Sequence, residues 1–91
     1  MDTHMMDSRL ACRIRIWAKF KYAWLSEREY GHDWWHAYND EWDINIYTNE
    51  DDEVVVTAYP MFRGDDGYLE TDHSNWCNLG VIATINKRRG N

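Results

Sequence analysis

The stretch that decides the fold runs from residue 42 to residue 59: Trp42-Asp43-Ile44-Asn45-Ile46-Tyr47-Thr48, then Asn49-Glu50-Asp51-Asp52-Glu53, then Val54-Val55-Val56-Thr57-Ala58-Tyr59. In the first part Trp42, Ile44, Ile46 and Thr48 alternate with Asp43, Asn45 and Tyr47. A period of two puts one set on a buried face and the other on an open one, as in a strand. The β-branched run Val54 to Thr57 is a second strand signal. A short polar, acidic link between two such runs predicts an antiparallel hairpin. Pro60 follows directly, and because proline lacks a ladder donor, the second strand is expected at an edge or bent at that point.

Downstream, Gly64-Asp65-Asp66-Gly67 predicts a turn returning into Tyr68-Leu69-Glu70-Thr71. Gly80 to Asn86 is a last strand candidate, with Val81, Ala83 and Ile85 on one face. Upstream, Ile14, Ile16, Ala18, Phe20, Tyr22 and Trp24 alternate with Arg13, Arg15, Trp17, Lys19 and Lys21. The same period-two argument predicts a long half-buried strand over 10–24 with a basic outer face. Residues 26–38 satisfy two patterns. Ser26 and Glu29 match a capping box, and Tyr30, Trp34, Ala37 and Tyr38 share a helical face. Gly31 opposes a helix, and Trp34-Trp35 also suits a strand continuing through Tyr38. The cap favours one short helix there. The expected fold is mainly β, α+β at most: a single small domain with a four- to five-stranded antiparallel sheet and at most one short helix. Residues 9–87 form the globular domain, 1–8 a disordered N-terminus and 88–91 a basic tail.

Ninety-one residues suffice for one domain with a modest core, and not for a large internal cavity. A hydrophobic content of 44% with 29% charged residues is globular composition and argues against disorder. No apolar run approaches the roughly 18 residues that span a bilayer. The first seven residues lack the basic and apolar regions of an export signal. A cytoplasmic protein is expected, with Cys12 and Cys77 as reduced thiols.

The formal charge of −6 is unevenly spread. Residues 1–26 carry +3, residues 27–72 carry −12, and residues 73–91 carry +3. The acidic centre repels nucleic acids and anionic lipids at long range and attracts basic partners.

Motifs for chemistry are sparse. His32 and His36 are four apart, as are His73 and Cys77, a spacing compatible with zinc ligands on helices. Nothing makes both segments helical, so no metal and no cofactor is expected. The acids 50–53 lack the register of a calcium loop. None of Ser8, Ser26 or Ser74 sits in a nucleophile-elbow sequence, and no glycine-rich phosphate loop is present. The expectation is a binding protein and not an enzyme.

Two binding surfaces suggest themselves. Arg13, Arg15, Trp17, Lys19 and Lys21 on one strand face would suit single-stranded nucleic acid, bases stacking on the indole and cations meeting phosphates. The acids suit a protein partner with a basic, nucleic-acid-handling surface, since carboxylates in a row imitate phosphates. Asp40, Glu41, Asp43, Glu50, Asp51, Asp52, Glu53, Asp65 and Asp66 would form the charged surround, and Trp34 and Trp35 with other rings the desolvated centre. Six Trp and six Tyr are more than one small core absorbs. In size, charge and aromatic content, though in no motif, the chain resembles small acidic inhibitors encoded by phages, such as anti-CRISPR and anti-restriction proteins, and bacterial immunity proteins that plug nuclease toxins. That resemblance implies inhibition by charge mimicry, without direct nucleic-acid or membrane contact, by a monomer or a homodimer.

Overall fold

A computed structural model describes residues 6–28 and 33–85. Helix α1 spans Ser8–Arg28. Five strands follow: β1 Trp34–Tyr38, β2 Trp42–Thr48, β3 Glu53–Arg63, β4 Leu69–Thr71 and β5 Cys77–Thr84. The chain is one α+β domain, a five-stranded antiparallel sheet with a helix on one face.

The hairpin read from residues 42–59 is present, with Trp42 opposite Pro60 and Thr48 opposite Val54. Its turn is organised by Asn49, whose side-chain oxygen accepts from the N–H groups of Asp51 (2.9 Å) and Glu53 (3.0 Å). Asp52 takes a positive φ of 61°, which an Asp tolerates better than a bulkier residue. The glycine-flanked turn also forms, with Gly67 donating to Gly64 and Gly64 to Tyr68.

Pro60 lies neither at an edge nor at the end of pairing, because β3 is the central strand. On one side β3 pairs with β2; on the other it pairs with β5 through Ala58 and with β4 from Met61. The Pro60 carbonyl accepts from Asp72 on that second side (2.8 Å). Its ring nitrogen therefore points to the junction where β5 stops and β4 begins, where no ladder donor is required.

Two register shifts mark the pairing of β3 with β5, between Val54 and Val55 and between Val56 and Thr57. They skip Ile82 and Leu79, so both side chains enter the core although three positions separate them. A regular strand would aim them at opposite faces. The expected face of Val81, Ala83 and Ile85 is thereby altered: Ala83 and Ile85 pack on the core, while Val81 is exposed. Gly80, at φ 98°, supplies the backbone conformation beside the bulge.

The segment 10–24 is not a strand. Leu10, Ile14, Ala18 and Tyr22, with Leu25, make an i, i+4 ridge that packs α1 on the sheet, and Ala18 and Leu25 are buried. Period-two alternation misleads here because apolar side chains occupy two opposite ridges of the helix. Ile14, Ala18 and Tyr22 face the sheet, whereas Ile16, Phe20 and Trp24 face away. The short helix expected over 26–38 is likewise replaced. Residues 26–28 end α1, Glu29 and Gly31 fall outside the described residues, and 34–38 form β1. Ser26 does not cap a new helix; its hydroxyl donates back to the Ala23 carbonyl (3.2 Å). Residues 1–5 and the 88–91 tail also lie outside the described residues.

The core sits between α1 and the sheet and consists of Ala18, Ile44, Ile46, Val54, Val56, Ala58 and Ile82. Cys77 packs against it, and Cys12 is exposed on the helix. No described helix is long and apolar enough to cross a membrane.

Candidate functional site

The face of the sheet turned away from α1 is built by the alternate residues that the core does not use. On β1 these are Trp34, His36 and Tyr38; on β2 they are Asp43, Asn45 and Tyr47; on β3 they are Thr57, Tyr59 and Met61. Because successive alternate residues stand about 6.8 Å apart, three flat rings on one strand can lean onto one another. Trp34 and His36 stack with centroids 5.1 Å apart and planes at 10°, and His36 and Tyr38 at 6.1 Å and 17°. The ladder lies along a sheet edge, since β1 pairs only with β2.

Two of the three rings are held by the neighbouring strand. The Trp34 indole N–H donates to Asn45 Oδ1 (2.9 Å), and His36 Nδ1 meets Asp43 Oδ1 (3.1 Å). Asp43 Oδ2 accepts from the Thr71 hydroxyl (3.2 Å), which ties β4 into the same network. With both carboxylate oxygens engaged and the residue 9% exposed, Asp43 serves the interior of this face, not its charged surround. Trp35, on the other side of β1, faces the helix, and its ring meets Tyr22 edge-on at 5.7 Å.

Two open hollows occupy the face. One, of about 440 Å³, runs from Asp33 and Trp34 across Asn45 and Thr57 to Tyr59 and Trp76. The other, of about 480 Å³, lies among His36, Tyr38, Asp43, Arg63, Tyr68 and Thr71. The 72–76 segment reaches over the first, with His73 edge-on to Tyr59 at 5.0 Å. Trp34, Tyr38, Tyr68 and Trp76 are all more than half exposed, at 53%, 62%, 73% and 55%.

The acids fall on the turns and not in a row along a strand. Asp40 and Glu41 lie in the β1–β2 turn, and Asp65 and Asp66 in the β3–β4 turn, at the same end of the sheet. Glu50, Asp51 and Asp52 lie at the opposite end, with Glu53 opening β3. The seven residues of β2 separate the two ends by roughly 23 Å. Several of these turns have an internal anchor. Asn39 Oδ1 accepts from the N–H groups of Glu41 (2.7 Å) and Trp42 (2.8 Å), Asp66 accepts from Tyr68 N–H (3.1 Å), and Glu53 accepts from the Asn49 amide (3.0 Å). Asp40, Glu41, Glu50, Asp51 and Asp65 are exposed.

The basic residues separate from them by element. Residues 8–28 hold six cations and one acid, a net +5, whereas residues 33–85 hold twelve acids against Arg63, a net −11. On a helix Arg13, Trp17 and Lys21 form one ridge while Arg15 and Lys19 belong to another, so the five do not share the single face that a strand would give them. The four-residue zinc constellation includes His32, which lies outside the described residues. His36 and His73 engage Asp43 and Tyr59, and no three His, Cys, Asp or Glu gather among the described residues.

The sequence singles out Trp34 and the turn acids as candidates. His36, Tyr38, Asn45 and Thr71 join that face only in the structure, although Trp34, His36 and Tyr38 show the i, i+2 spacing that a strand converts into a ladder. Comparison with protein-family models, with curated proteins and with solved structures finds no match.

Proposed function

We propose that the protein is a non-enzymatic binding protein, an inhibitor whose sheet face engages a basic, nucleic-acid-handling surface of another protein. The observation that carries this reading is the exposed ladder Trp34–His36–Tyr38 between two acidic ends of the same sheet. Rigid rings that surrender little conformational freedom are the usual anchors of protein interfaces. Carboxylates at the rim accelerate encounter with a cationic partner and add less to residence time. The mimicry works through two acidic ends about one strand length apart, which would meet cations on both sides of a groove. Phage counter-defence and toxin immunity are the settings in which small acidic proteins of this character act.

The test uses the whole chain with a photo-cross-linking amino acid at position 34 or 38, irradiated in lysate, and mass spectrometry of the adducts. The expected adduct is a nucleic-acid-handling protein, cross-linked at a basic surface. A second variant combining Glu50→Gln, Asp51→Asn, Asp52→Asn and Glu53→Gln should slow association with that protein and flatten its salt dependence. Adducts with nucleic acid, or no adduct from either position, overturn the proposal.

A further inference from the structure

The outward side of α1 is a second surface, unrelated to the sheet face. Its central i, i+4 ridge is Cys12, Ile16, Phe20, Trp24 and Arg28. Ile16, Phe20 and Trp24 are 52%, 74% and 49% exposed, a contiguous apolar strip on the side opposite Ala18, which is fully buried. The ridge on one side carries Arg9, Arg13 and Lys21, and the ridge on the other carries Arg15 and Lys19, with Glu27 the only acid of the helix. None of those five cations forms an ion pair among the described residues. A helix of a water-soluble domain normally turns such a strip inward, and here the inward side is filled by different residues.

We propose that this side of α1 is a docking surface for an anionic phospholipid bilayer, the helix lying flat with Ile16, Phe20 and Trp24 in the headgroup–acyl boundary. Charge complementarity selects the occupant. An apolar strip bordered on both sides by Arg and Lys matches an interface whose interior is hydrocarbon and whose surface is negative. The surface is the convex outside of a lone helix, which a deformable plane accommodates without a shaped groove. Single-stranded nucleic acid is bound by successive bases on several ring faces, but Trp24 already carries the Arg28 guanidinium at 4.3 Å and the Lys21 ammonium at 5.4 Å, which leaves Phe20 as the one open ring of the strip. Those two cations sit beside an interfacial indole as anionic headgroups require. The net −11 of the sheet opposes docking only weakly at physiological salt, because most of it lies beyond the helix. A helix about 10 Å across exceeds the screening length of about 8 Å at physiological salt.

The test is co-sedimentation of the full chain with vesicles of phosphatidylcholine alone and of phosphatidylcholine with phosphatidylserine, at low and physiological salt. Binding to the serine-containing vesicles only, weakened by salt, is expected, with quenching of tryptophan emission by brominated lipid. Phe20→Gln replaces an exposed ring with a good helix former and should weaken partitioning roughly tenfold. Arg13→Gln with Lys19→Gln should weaken it by roughly a further 25-fold, at about fivefold per cation. Circular dichroism checks that each variant keeps its helix, and the lipid and salt dependence of the unaltered protein tests the idea without any variant. No binding to either vesicle, equal binding to both, or a single-stranded oligonucleotide that binds and is lost on Phe20→Gln would overturn the proposal. Because the cross-linking positions 34 and 38 lie on the opposite layer, failure here leaves the sheet-face reading standing, and the reverse also holds.

Discussion

Ala18 fixes how α1 is rotated on the sheet, and with it which residues the helix turns outward. Its methyl is fully buried among Ile44, Ile46, Val54, Val56, Ala58 and Ile82, whereas Ala23 on the same helix is exposed. Replacing each in turn by glycine separates two effects. At Ala23 only helix propensity is lost, about 1 kcal/mol. At Ala18 the same propensity is lost together with the transfer free energy of one buried methyl, about 0.8 kcal/mol, and a small cavity term, for a total of about 2 kcal/mol. For a domain of this size Ala23→Gly should lower Tm by roughly 4–8 °C and Ala18→Gly by roughly twice that. Urea unfolding followed by circular dichroism gives the free energies directly, provided the slope is unchanged between variants. Equal losses at the two sites would show that Ala18 is not in the helix–sheet contact. No loss at Ala23 would show that residues 8–28 are not helical in solution, and the outward strip of Ile16, Phe20 and Trp24 would disappear with it.

Further outcomes test the site and its turns. Asp43→Ala removes the acceptor shared by His36 and Thr71 and should destabilise the fold by about 1–2 kcal/mol in denaturant titration, with Asp43→Asn restoring most of the loss. Asn49→Ala strips the β2–β3 turn of its acceptor for two N–H groups and should cost about 1–2 kcal/mol, whereas the quadruple neutralisation of residues 50–53 should leave Tm unchanged or slightly raised. Asp52→Val places a β-branched side chain at positive φ and should cost more than about 1 kcal/mol, read from thermal unfolding.

What the sequence discloses depends on whether one face or two carry apolar residues. The 42–59 hairpin is legible because Ile44 and Ile46 alternate with Asp43 and Asn45, and an acidic turn separates the runs. Helix α1 is not, because its two apolar ridges, Ile14–Ala18–Tyr22 and Ile16–Phe20–Trp24, interleave in sequence into a strand's alternation. Its quieter signals are the absence of Gly and Pro from residues 8–28 and the four-residue spacing from Leu10 to Tyr22. The bulges of β5 are hidden for a related reason, since Leu79, Ile82 and Ala83 break a strand's period of two and fall on the spacing of a helical stripe. In the site, Trp34 was visible from its size alone. Its bonding to Asn45 and the stack with His36 and Tyr38 depend on strand register, which local pattern does not specify.

The position of β3 also dictates the order in which the domain can assemble. Strands β1 to β4 join in succession through short turns, so three hairpins can close on local contacts. Strand β5 is different: Glu53 meets Thr84 across 31 residues, and α1 lies nearest to that same strand. Closing the long loop and docking the N-terminal helix are therefore late and mutually dependent events. In native-state hydrogen exchange the β3 amides should be the last to open, since their loss requires β2, β4 and β5 to part together. The edge strand β1, with its ring ladder, should exchange through a smaller opening that leaves the rest of the sheet closed.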